Sequence, residues 1–101
     1  MLNQITPLIL TYNEAPNLAR TLDRLSWAAD IVVVDSGSSD ETKAIAARYP
    51  AVRFFERPFT THAEQWNYGL QQTGIATDWV LALDADFVLT EEMVSELTHL
   101  A

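Results

Sequence analysis

The residues best suited to chemistry fall in three short segments. Asp84-Ala85-Asp86 sets two carboxylates two positions apart, directly after the apolar run from Trp79 to Leu83. Hard divalent cations such as Mg2+ or Mn2+ take one or two carboxylates and complete their shell with phosphate oxygens and water. A D-x-D closing a buried strand fits that demand, although seven aspartates in 101 residues make one such tripeptide about an even chance. The plain alternative is that one Asp caps the next loop and the other is solvated.

Asp35-Ser36-Gly37-Ser38-Ser39-Asp40 follows the aliphatic run Ile31–Val34. Gly37 allows a positive φ or close backbone approach, and an ionised Asp35 at a strand end can accept an N–H from a base or meet ribose hydroxyls. The same segment also reads as a tight turn with a helix cap, and the two readings are compatible. Thr11-Tyr12-Asn13-Glu14 is the third segment. The Tyr12 ring could stack on a nucleobase, a contact tolerant of base identity, or could close over the first helix. His62 and His99 are isolated from other ligating residues, and Arg20, Arg24, Lys43 and Arg48 fall on helical patterns as solvated charges.

These segments need elements that bring them together. Ile5–Leu10, Ile31–Val34, Val52–Phe55 and Trp79–Leu83 are apolar runs without two-residue alternation, as expected of parallel strands covered on both faces. Helical patterns lie between them. Leu18, Leu22 and Leu25 share a face with Pro16 in the first turn, and Ile45 and Tyr49 share another behind a Ser38-x-x-Glu41 capping box. Thr61-x-x-Glu64 opens a third helix with Ala63, Trp66 and Leu70 inward. Thr90 with Glu91 and Glu92 opens a fourth, whose stripe is Met93, Val94, Leu97 and Leu100. The order βαβαβαβα predicts an α/β fold with right-handed crossovers, so all strands end along one edge, where ligands gather.

Composition excludes several classes of function. The net charge of −8 repels nucleic acid and anionic lipid, although a divalent cation could still bridge to a phosphorylated small molecule. With no cysteine there is no disulfide, zinc-thiolate site or thiol nucleophile. No apolar run is long enough to span a membrane and no basic leader region opens the chain, so the cytoplasm is the default expectation.

Thr11-Tyr12-Asn13-Glu14, Ile31 through Thr42, Asn67-Tyr68-Gly69-Leu70 and Trp79 through Asp86 together resemble family 2 glycosyltransferases in order and spacing. The resemblance covers nearly the whole chain and matches the N-terminal, nucleotide-sugar-binding half of that family. It is nearest to bacterial members that build lipopolysaccharide or other surface glycans. It implies a Rossmann-like GT-A half-domain, a mainly parallel four-stranded sheet of order 3-2-1-4 with helices on both faces. It also implies inverting, metal-dependent transfer of a sugar from a nucleoside diphosphate, with a uridine donor favoured, to an acceptor hydroxyl.

By resemblance, residues 1–101 supply donor binding. Thr11, Tyr12, Asn13, Glu14, Asp35, Ser36, Gly37, Asn67, Asp84 and Ala85 form the nucleotide-sugar site, and Asp86 with Asp84 holds Mn2+ or Mg2+. Tyr12 stacks on the base, Asp35 takes its N–H, and Asp84 lies near the ribose or sugar. The catalytic base is expected downstream of residue 101, and a full-length enzyme could sit at the inner face of the membrane. One departure is Trp66, where many relatives carry Arg before Asn-x-Gly.

The chain ends at His99-Leu100-Ala101 inside a helical pattern, which leads us to expect a fragment of a longer enzyme, with self-association through the edge of strand 79–83. A second reading is a non-catalytic binding or assembly module with the same fold. A phosphoacceptor receiver domain is disfavoured because the one lysine, Lys43, lies in a helix, and a nucleotidyltransferase because no glycine-rich basic loop follows the first strand.

Overall fold

A computed structural model describes residues 2–99. After a short 3-10 turn, Leu2–Gln4, the elements are β1 (Ile5–Thr11), α1 (Ala15–Asp23), β2 (Ile31–Asp35), α2 (Thr42–Ala46), β3 (Val52–Glu56), α3 (His62–Gln71), β4 (Trp79–Asp84) and α4 (Glu91–Leu97). The four strands form one sheet of order β3-β2-β1-β4 with every pairing parallel. The expected α/β alternation and strand order are therefore present. Thr11 is in register with Asp35, Asp35 with Glu56, and Leu10 with Asp84, which aligns the four strand ends.

Alternate side chains of β1 and β2 enter two different cores. Ile9, Ile31 and Val33 pack with Leu18, Leu22 and Leu25 of the α1 region, with Ile45 and Ala46 of α2, and with Val94 and Leu97 of α4. Leu8, Val32 and Val34 point the other way, where Trp66 and Tyr68 of α3 cover them together with Phe55, Ile75 and Val80. Helices thus occupy both faces. Fully burying a Leu, Ile or Val stabilises by about 1.5–3 kcal/mol, so the central strands carry much of the fold. α3 approaches β1 closely at Gly69, where an added Cβ would stand 2.7 Å from Leu8 Cδ1.

Several local expectations are corrected. β3 and β4 are not covered on both faces: β3 is half-buried at best, and in β4 only Leu83 is buried while Trp79 is 50% exposed. Their edge positions explain this, because each pairs on one side only and α3 sits over β1 and β2. The Ser38-x-x-Glu41 capping box does not form. α2 begins at Thr42 behind Glu41 without a side-chain cap, because Ser38 is engaged with Asp35 instead.

Thr61 and Thr90 do cap α3 and α4, accepting from Glu64 N at 3.1 Å and Met93 N at 3.2 Å. The inward face of α3 is Gln65 and Gly69 with Trp66 half-buried, whereas Ala63 and Leu70 are exposed. In α4, Val94 and Leu97 pack inward, Met93 is exposed, and Leu100 lies outside the described residues.

Candidate functional site

The carboxyl ends of β1, β2 and β3 open on a cavity of about 510 Å3 lined by Leu10, Thr11, Tyr12, Ser36, Phe59, His62 and Gln65. Tyr12 follows β1 and is 60% exposed, so its ring faces the cavity rather than closing over α1. Ser36 is the first residue past β2. Its N–H donates to Thr11 O, and its Oγ accepts from Gln65 Nε2 at 3.3 Å, which leaves its own hydroxyl proton for a ligand.

Asp35 does not face the cavity. It is 2% exposed, and each carboxylate oxygen takes two donors: Oδ1 accepts from Thr11 Oγ1 and Ser38 Oγ, both at 2.6 Å, and Oδ2 from the backbone N–H of Gly37 and Ser38 at 2.9 and 2.7 Å. In this structure its lone pairs are taken by donors of its own chain. Its role is to bend the β2–α2 loop back so that Ser36 lies at the rim, with Gly37 at φ +97° making the turn.

Asn13 and Glu14 also act within the chain. Asn13, at φ +52°, donates its N–H to Ser38 Oγ and accepts Ser39 N at its Oδ1, both at 2.8 Å. Glu14 N donates to Thr42 Oγ1 at 2.9 Å and Ala15 N to Asp40 Oδ2 at 3.2 Å. The Thr42 hydroxyl and N–H in turn bond Asp40, and the hydroxyl bond leads the causes that lower the Asp40 pKa below the usual carboxylate value. Two loops far apart in sequence are thereby laced together. Asn67 is exposed, about 200° around α3 from Gln65 at roughly 100° per residue, and does not line the cavity. Trp66, in the place of a basic residue, packs against the Leu8, Val32 and Val34 cluster.

Asp84 and Asp86 sit at the end of β4 in a turn closed by Phe87 N donating to Asp84 O at 3.0 Å. Both are exposed, and neither carboxylate has a hydrogen-bond partner among the described residues. Ala85 between them is buried, and its carbonyl accepts from Thr21 Oγ1 of α1 at 2.8 Å, which fixes the turn and leaves the two acids outward. No group of three or more His, Cys, Asp or Glu able to hold a metal occurs among the described residues. The donor set fits a hard cation that brings its remaining ligands as diphosphate oxygens and water.

Gln65 and Thr21 are site-building residues that the sequence reading missed. Gln65 is fully buried: Arg57 Nη1 donates to its Oε1 at 2.9 Å, while its Nε2 donates to Arg57 O at 3.1 Å and to Ser36. A lone Gln between Glu64 and Trp66 carries no local signal of burial, because its partners come from two other strand ends.

Residues 8–101 match the family model for Glycosyl transferase family 2. The chain belongs to that family. It is 31% identical over 100 residues to an uncharacterized glycosyltransferase of Rickettsia felis, covering 98% of this chain and 34% of that protein. It is 33% identical over 86 residues to the lipopolysaccharide core biosynthesis glycosyltransferase LpsC of Rhizobium meliloti, covering 81% and 31% respectively. The structure of S. aureus TarS 1-349 superposes with a TM-score of 0.79 at 20% identity, over 94% of this chain and 31% of that one, a likeness of fold. The chain spans about a third of the length of the curated relatives it matches. No helix among the described residues of this family 2 member is long and apolar enough to cross a membrane.

Proposed function

We propose that residues 1–101 are the donor-binding part of an inverting, metal-dependent glycosyltransferase that moves a sugar from a nucleoside diphosphate, with uridine diphosphate favoured, to an acceptor hydroxyl in cell-envelope glycan synthesis. The observation that carries the reading is the shared edge. The Tyr12 and Ser36 cavity and the uncommitted Asp84 and Asp86 carboxylates stand at neighbouring parallel strand ends, with Leu10 and Asp84 in register.

In this reading Tyr12 stacks on the base, Ser36 offers its hydroxyl to the base or ribose, and Asp84 lies toward the ribose or sugar. Asp86, with Asp84, would hold Mn2+ or Mg2+. The cation, when bound, offsets the charge of the diphosphate leaving group, which reconciles an anionic donor with a chain of net charge −8. The loops laced by Asn13, Asp35 and Asp40 are held by the chain's own hydrogen bonds, and a site held in this way lowers the ordering cost of binding. The base that deprotonates the acceptor is assigned to polypeptide beyond residue 101.

Titration with nucleoside diphosphates, with and without Mn2+, tests this. Metal-dependent affinity that disappears in Asp86→Ala is the expected result, and indifference to both metal and nucleotide would favour a non-catalytic assembly module instead. The free edge of β4 is proposed as a self-association surface, and light scattering that reports only monomer at high concentration would remove that part.

A further inference from the structure

We infer that the cavity holds its base between two aromatic walls, with Phe59 and His62 facing Tyr12 across Ser36; the inference rests on the donor-binding reading above. Neither Phe59 nor His62 belongs to a motif singled out in the sequence for binding. Phe59 is 48% exposed although large and apolar, and it lines the cavity together with His62. Their rings meet edge to face, 5.1 Å between centroids at 75°, so each fixes the other's orientation at the start of α3.

The strand order sets which residue lies between the walls. Tyr12 leaves β1, Ser36 leaves β2, and Phe59 lies on the segment leaving β3, so the strand order puts Ser36 between the two aromatic sides of one cavity. Ser36, on the strand between the walls, meets the edge of the base with the hydroxyl proton that Gln65 leaves free. A one-sided platform at Tyr12 would explain neither the exposed Phe59 nor its contact with His62.

The test is calorimetric titration of the chain with uridine, guanosine and thymidine diphosphates in Mn2+, and with inorganic pyrophosphate as a probe that lacks the base. For the diphosphate bound most tightly, Phe59→Ala is expected to weaken binding about 5- to 150-fold, the range of one lost stacking contact, with pyrophosphate affinity unchanged. Phe59→Trp is expected to restore nucleotide binding, which separates a wall from a folding role. Phe59→Ala within twofold of wild type, or an equal loss for pyrophosphate, overturns the second wall while leaving donor binding intact. Wild-type chain that binds no nucleoside diphosphate takes down both readings.

Discussion

At the carboxyl end of β2 the side chain of Asp35 is buried and accepts four hydrogen bonds, whereas at the end of β4 Asp84 and Asp86 are exposed and accept none among the described residues. All three acids close apolar strands on one edge of one sheet, and by residue type alone they are equivalent. What separates them is what surrounds the strand end. β2 is central, and its loop folds back over it with Thr11 and Ser38 as donors. β4 is an edge strand, and its turn is pinned through the Ala85 carbonyl, so the flanking carboxylates stay in solvent. An acid whose lone pairs are filled by its own chain shapes a site, and one left open can bind.

The largest expected effect comes from breaking the closed side. Asp35→Ala strands the buried Thr11 hydroxyl and releases two loop N–H groups, at a cost of about 3 kcal/mol, seen as a fall in Tm of more than about 10 °C. Asp86→Ala on the open side should leave Tm unchanged and reduce Mn2+-dependent nucleotide affinity by at least about 10- to 100-fold, read by titration calorimetry. If the two variants exchanged phenotypes, Asp35 would not be the closed acid nor Asp86 the open one.

Smaller effects sharpen it. Gly37→Ala meets no atom within 4 Å of the new Cβ, so its cost is the backbone conformation alone, about 1–2 kcal/mol by chemical denaturation. Away from the edge, Tyr49 donates to Asp23 Oδ1 at 2.6 Å, and burial, then Asp23, pushes its pKa up to about 12. The neutral phenol is thus favoured in the fold. The stability it contributes is complete below the ordinary tyrosine value of about 10 and is lost as pH rises through about 12. Tyrosine absorbance titration should show one group ionising near 12, absent in Tyr49→Phe.

The strand runs, the helix starts at Thr61 and Thr90, and the shared edge were legible in the sequence because they depend on local pattern and on the single handedness of parallel crossovers. The positions of Tyr12, Ser36 and the Asp84-Ala85-Asp86 turn at strand ends were legible for the same reason. The inward turn of Asp35, the linking roles of Asn13 and Glu14, and the burial of Gln65 were not. Each is decided by partners from another strand end, which local periodicity does not encode. The outward placement of Asn67 shows the converse, since a motif can match in order while helix phase turns one member away from the cavity.

The central strand β1 has neighbours made at very different times. Its β2 side is available once Asp35 has been synthesised, but its other side pairs Ile5 with Trp79 and Leu10 with Asp84. On a ribosome, β1 therefore waits until Trp79–Asp84 has been made before its second ladder closes. Slowing translation between residues 60 and 79 would lengthen the interval in which a bare β1 can meet another nascent copy.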